Sequence, residues 1–246
     1  MGARDEKDRG IFLSRGVSLR IANIQMIFGP DGAITMPDPL VQVSLSMTPF
    51  WLEIALSHLA AARRSHEAML GAAARWDEPE IGQALEAEFV AGMQAIVAAC
   101  TALDALYASV KLHVDLPAET IQAWRGKRTP RYAQVAEVLR RAFKMKSGTA
   151  RAWRGVFRQV YRFRGWAAHP STDFSEPVKH PDLPGATERR FVAFSYENAR
   201  TVVRVALAVA ALVAAKSPTV GSKPLAEFGR GLGEMIASAC GAHTAA

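Results

Sequence analysis

Residues 77–114 read DEPEIGQALEAEFVAGMQAIVAACTALDALYASVKLHV, and this stretch decides the fold. Asp77 with Glu80 three places on is a capping box in outline, and Pro79 falls in the first turn, where a missing N–H costs nothing. A long helical segment follows and stops before Asp115-Leu-Pro117. The same start signals recur on both sides of it. Thr48-Pro49 places a cap before a proline and predicts a helix to about Arg75. Thr129-Pro130 predicts another to about Met145, and Ser147 caps one that ends at His169-Pro170, since a residue before proline is pushed out of the α region. Residues 170–194 are proline-rich without a helical period and read as a loop, with a strand at Arg190–Phe194. Ser195 and Lys223-Pro224 open two more helices, to about Ala215 and Cys240.

The first 46 residues differ. Val17-Ser-Leu-Arg-Ile21 alternates apolar and polar, and Ile24, Met26 and Phe28 resume the alternation one residue out of step, as across a bulge at Ala22-Asn23. Gly29-Pro-Asp-Gly32 is a turn and Ala33-Ile-Thr-Met36 a returning strand. The expected architecture is all-α: an antiparallel helical bundle over residues 47–246, with a short N-terminal β-hairpin or arm over residues 1–46.

Composition excludes several classes. At 246 residues and 50% hydrophobic content the chain can bury a core and is not wholly disordered. Two cysteines, Cys100 and Cys240, make no disulfide framework, and no CxxC pair is present. His58, His66 and His113 form no compact ligand cluster, so neither a metal nor another cofactor is expected. Cys100, set among alanines, reads as a packed thiol rather than a nucleophile, and His180 as an exposed loop residue. Gly229-Arg-Gly-Leu-Gly233 has no strand before it and reads as small-residue packing or a frayed C-terminal end rather than a nucleotide loop. The N-terminal residues are charged, and the most apolar run, Val205–Ala215, is too short to cross a bilayer; a cytoplasmic protein without a membrane partner is expected.

The charge is concentrated. Thirteen Lys and Arg stand between Trp124 and Arg164 against the single acid Glu137, so the chain's +7 divides into +12 there and −5 elsewhere. At 100° per residue Arg151, Arg154, Arg158 and Arg162 share one stripe. A polyanion, RNA first among them, is the expected partner. The competing reading is a solvated face whose charges pair with acids such as Glu80, Glu86 and Glu88. The opposite stripe, Trp153, Val156, Phe157, Val160, Phe163 and Ala167, reads as core. Arg164 projects close to it, where a guanidinium must be paired or must line a cleft.

Arg164-Gly-Trp-Ala-Ala-His169 is an Arg-x4-His motif at the end of a predicted helix, and in its setting it resembles the signature of the HEPN superfamily. Those proteins are all-α bundles of prokaryotic defence, toxin–antitoxin pairs and RNA processing. Asp104, in Ala102-Leu-Asp-Ala-Leu-Tyr107, resembles the acidic residue that faces the motif from an earlier helix. The sequence departs from the family pattern at Gly165, where an Asn or Asp is common, and at Pro170. The resemblance implies metal-independent RNA cleavage, with His169 moving the proton of a ribose 2′-hydroxyl, Arg164 stabilising the phosphate, and Asp104 orienting His169 or pairing with Arg164. It also implies a homodimer that joins two motifs in one cleft, and a cognate antitoxin or regulatory protein as a further partner. The apolar helix 201–215 is the expected dimer surface. A non-catalytic interaction protein with the same bundle is the alternative, in which Arg164 and Asp104 form an ion pair and His169 merely ends the helix.

Overall fold

The computed structural model describes residues 17–22, 25–38, 40–168 and 176–244, divided into two units at Ser46/Met47. The first unit is two antiparallel strand pairs. β1 (Val17–Ala22) pairs with β4 (Leu40–Leu45), and inside them β2 (Ile27–Phe28) pairs with β3 (Ile34–Thr35) across the Gly29–Gly32 turn. Gly32 takes φ +79°, a left-handed conformation that favours glycine. The expected hairpin is present, but its long outer strand β4 was not anticipated. Of the expected bulge, Asn23 lies outside the described residues. Register places Leu19 opposite Val43 and Ile21 opposite Val41, so apolar residues share one face. Leu19, Ile21, Val41, Val43 and Leu45 remain 41–57% exposed.

The second unit is the helical bundle: α1 (Thr48–Ala74), α2 (Glu78–Lys111), α3 (Ala118–Gly126), α4 (Arg131–Ala142), α5 (Ser147–Ala168), α6 (Arg189–Ala193), α7 (Tyr196–Lys216) and α8 (Lys223–Thr244). The short pair β5 (Val178–Lys179) and β6 (Ala186–Thr187) precedes α6. α2 is central, packed against α1, α4, α5, α6 and α7. Its small residues Ala91, Ala95, Ala98, Ala99 and Ala102 allow close approach, while Ile96, Leu103, Leu106 and Val110 fill the interior against Phe157, Val160, Val203 and Val209. Each such large side chain contributes roughly 1.5–3 kcal/mol on burial.

Several boundaries differ from the sequence reading. Met47, not Thr48, is the N-cap of α1, which places Thr48 and Pro49 inside the first turn. Asp77 does cap α2, accepting the Glu80 N–H at 3.2 Å, an arrangement worth about 1 kcal/mol. α3 was unexpected: it buries no residue, so it leaves no apolar stripe to recognise. Residues 190–194, expected as a strand, are instead the body and C-cap of the helix α6, whose start is capped by the Glu188 carboxylate accepting the Arg190 N–H. The valines of α7 expected to form a dimer surface, Val202, Val203, Val209 and Val213, are buried in the bundle's own core. α2 and the α7 region Tyr196–Thr219 are long and apolar enough, by length and composition, to cross a membrane, which corrects the count based on Val205–Ala215 alone; both pack as core helices in the bundle. The glycine-rich start of α8 follows the packing reading, because any side chain at Gly229 would collide with Ser217 in the turn after α7.

Candidate functional site

α5 is the helix on which the chemistry converges. Phe157 and Val160 anchor it to the core and Trp153, Phe163 and Trp166 pack at the margin. Val156, expected in the core stripe, is 41% exposed because it lies at the edge of the buried arc. Arg151, Arg154, Arg158 and Arg162 all lie on the exposed side. None of the four has an ion-pair partner among the described residues. The acids proposed to neutralise them are elsewhere: Glu80 pairs with Arg75, Glu88 is buried against His66 and Tyr196, and Glu86 has no pairing with the stripe. Arg162 lies over the Trp166 ring, 4.7 Å from its centroid.

Glu137, the one acid of the basic segment, is fully engaged on its own helix. Its carboxylate accepts two 2.7 Å bonds from Arg140 and one from Arg141. The Arg140 bonds, with help from Arg141 and against partial burial, lower its pKa from 4.5 to about 2. A carboxyl depressed by folding stabilises the fold fully above about pH 4.5, and the contribution is lost as pH falls through about 2. The stability gap between the wild type and Glu137→Gln, read from urea midpoints, is therefore expected to shrink steadily as the pH is lowered across that window. A gap independent of pH would remove the assigned cause.

At the end of α5, Arg164 donates to Asp104 Oδ2 at 2.5 Å, across 60 residues of sequence. Tyr161, one turn earlier on the same face, donates its hydroxyl to Asp104 Oδ1 at 2.8 Å. Arg131 approaches Oδ1 from α4 with its Nε at 3.5 Å. Asp104 is thus shared by three donors on two helices. The cluster is half-buried rather than sealed, with side-chain exposures of 25% for Asp104 and 41% for Arg164. Burial first, then the Asp104 charge, raises the Tyr161 pKa, which keeps the phenol protonated and donating. Beneath it Cys100 donates its thiol to the Val160 carbonyl at 3.6 Å, and burial pushes its pKa up to about 12. A thiol so placed is a packing group, not a nucleophile.

The site residues named from sequence divide clearly. Arg164 and Asp104 are brought together; Arg151, Arg154, Arg158 and Arg162 form the expected exposed stripe; His169 lies outside the described residues. Sequence reading missed Tyr161 and Arg131. Tyr161 was visible as the i−3 neighbour of Arg164, but Arg131 sits on another helix and only packing brings it to Asp104.

Comparison with protein-family models, with curated proteins and with solved structures found no match. The site must be read from its own geometry.

Two openings are lined in part by the residues that hold Asp104. One, of about 440 Å³, runs between α4 and α5 past Arg131, Tyr161 and Arg162. The other, also about 440 Å³, lies among α1, α2 and α5 and is apolar apart from His58, Gln94 and Arg164. No group of three or more His, Cys, Asp and Glu suited to a metal ion occurs among the described residues. A second polar cluster lies apart from these openings. Glu88 accepts the Tyr196 N–H at 2.7 Å and contacts His66 Nδ1 at 3.2 Å. The Ser195 side chain makes no capping bond, so this buried carboxylate from α2 does the capping of α7. His180, expected on an exposed loop, is 1% exposed; its Nδ1 accepts the Asp182 N–H, and burial lowers its pKa. The correction has a local cause, since the turn after β5 folds the ring inward.

Proposed function

We propose that this protein is a HEPN-like helical bundle that binds RNA through the exposed face of α5. The observation that carries this reading is the stripe of Arg151, Arg154, Arg158 and Arg162, exposed and without acidic partners among the described residues. Four guanidiniums held on one face repel one another, and a polyphosphate chain relieves that repulsion while releasing its own counterions. The spacing along a helix suits successive phosphates, and the guanidinium fork suits each of them.

A second reading, metal-independent endoribonuclease, rests on the Arg-x4-His resemblance; the pairing of Arg164 with Asp104 at the end of the same helix fits it and the non-catalytic bundle alike. In it, Asp104 fixes the Arg164 fork beside the phosphate undergoing attack and His169 moves the 2′-hydroxyl proton. A homodimer would supply two such motifs to one cleft. A cytoplasmic site of action and a cognate antitoxin or regulator belong to the same reading.

Incubation of the purified protein with structured RNA in EDTA separates the two. Binding that weakens steeply with salt is expected in both. Cleavage that survives EDTA and is lost in His169→Ala, with helical circular dichroism unchanged, is the outcome of the enzymatic reading. Binding without cleavage leaves the bundle as an RNA-holding scaffold, and retention of neither RNA nor heparin at low ionic strength removes the proposal.

A further inference from the structure

The opening between α4 and α5 has features that a plain run of surface arginines lacks. Arg131 and Tyr132 from α4 face Arg158, Gln159, Tyr161 and Arg162 from α5, around a volume of about 440 Å³. That size falls in the range of small-ligand sites, roughly 300–1,000 Å³. Three guanidiniums line it and no carboxylate does.

The three are prepared to different degrees. Arg131 is held most firmly. Its guanidinium lies over the Tyr107 ring, 4.7 Å from the centroid, and it donates to Gln134 Oε1 at 3.2 Å. That oxygen also accepts the Tyr107 hydroxyl at 3.1 Å, while Gln134 Nε2 donates to the Thr129 carbonyl at 2.8 Å. Arg162 is steadied on Trp166, and Arg158 has no ion pair among the described residues. A guanidinium fixed before the ligand arrives loses less side-chain freedom on binding. Among the described residues the acid paired with Arg131 is Asp104, at 3.5 Å, and Asp104 is already held more closely by Tyr161 and Arg164. Of the two charged donors on Asp104, Arg131 is the less committed.

We propose that this cleft is a nucleotide subsite, in which Arg131, Arg158 and Arg162 hold one phosphate of an RNA strand and the base lies against Tyr132 with Gln159 at its edge. The proposal rests on the RNA reading above and deepens it by naming where one nucleotide is gripped. Guanidinium forks match phosphate oxygens, an aromatic ring stacks on any base, and a glutamine amide offers both a donor and an acceptor to the base edge. The phosphate is either an internal diester or a terminal monoester, which present the same oxygens. Because Arg131 and Tyr161 also contact Asp104, an occupant of the cleft that draws Arg131 toward itself leaves Asp104 to Tyr161 and Arg164.

The test is fluorescence anisotropy at low salt in EDTA, with labelled oligouridylate carrying a 5′-hydroxyl or a 5′-phosphate and with uridine monophosphate as competitor. Arg131→Gln is expected to lose about tenfold more affinity than Arg151→Gln, which removes the same charge from the stripe outside the cleft. Arg158→Gln, at an exposed position, gives the same reading independently of any change in α4. Tyr132→Ala is expected to lose about tenfold and Tyr132→Phe to retain binding, the signature of stacking. Preference for the 5′-phosphate, with competition by the mononucleotide, supports a terminal monoester in the cleft; equal binding of both oligonucleotides supports an internal one. Equal losses in Arg131→Gln, Arg158→Gln and Arg151→Gln, with no effect of Tyr132→Ala, would overturn the subsite and leave RNA binding by the stripe standing. Absence of RNA binding by the wild type would overturn both.

Discussion

Reversing Arg151, Arg154 and Arg158 together to glutamate is expected to weaken RNA binding at low salt by about a hundredfold or more, and to flatten its salt dependence by roughly three phosphate contacts. All three side chains are exposed and unpaired among the described residues, so the folded state loses no hydrogen bond or ion pair by the change. Helical circular dichroism and the urea midpoint should therefore stay close to wild type. The change lowers the net charge by six units, and a matched control is needed to separate local from global electrostatics. Arg64, Arg204 and Lys216, exposed on α1 and α7, provide it when reversed to glutamate together. When both variants are compared at physiological salt, the control is expected to lose far less affinity, because surface charges beyond a Debye length of about 8 Å are then largely screened. Equal losses in both triple variants would mean that the protein responds only to net charge, and undiminished binding in the α5 variant would leave the stripe a solvated surface.

Gly92→Ala is expected to destabilise the bundle by about 3 kcal/mol, against the sign that helix propensity alone would give. An alanine inside a helix normally gains about 1 kcal/mol over glycine. A methyl group at Gly92, however, would sit 1.9 Å from the Phe194 carbonyl oxygen and 3.1 Å from its carbon. These are backbone atoms, and they cannot swing away as a side-chain tip would. α2 would have to part from the α6–α7 connection, where Ala193 and Phe194 are buried. One turn earlier on α2, Glu88 caps α7 through the Tyr196 N–H, so the same displacement strains that bond as well. Overpacking and the loss of a buried charged acceptor add to a cost of this size. Gly155, in the middle of α5 with open space where a methyl would go, is the matched comparison. Gly155→Ala is expected to stabilise modestly while Gly92→Ala lowers the urea midpoint sharply. Stabilisation by both would show that α6 and α7 do not seat against α2 as described.

The all-α class, the division near residue 46, the hairpin turn at Gly29–Gly32, most of the long helices and the stripe of arginines on α5 are legible along the chain. Each of these is a local property: a cap, a proline, a periodicity, or a charge repeated at helical spacing. The caps are the exception, since Met47 rather than Thr48 is the N-cap of α1. α3 escaped because a helix that buries nothing carries no apolar period, and α6 because five residues are too few to establish one. Which polar groups meet follows from packing alone. Asp104, Arg131 and Arg164 come from three helices, and their convergence follows from the way α4 and α5 lie across α2. The same holds for Glu88 and His180, read as surface residues and found buried, because a titratable side chain gives no sign in sequence of the partner that awaits it. Gly92 makes the point most plainly: along the chain it is a weak spot in a helix, and only the backbone of Phe194 arriving from 102 residues away makes it indispensable. Local sequence sets each helix because its hydrogen bonds close within four residues; the site depends on long-range packing, whose geometry no short stretch contains.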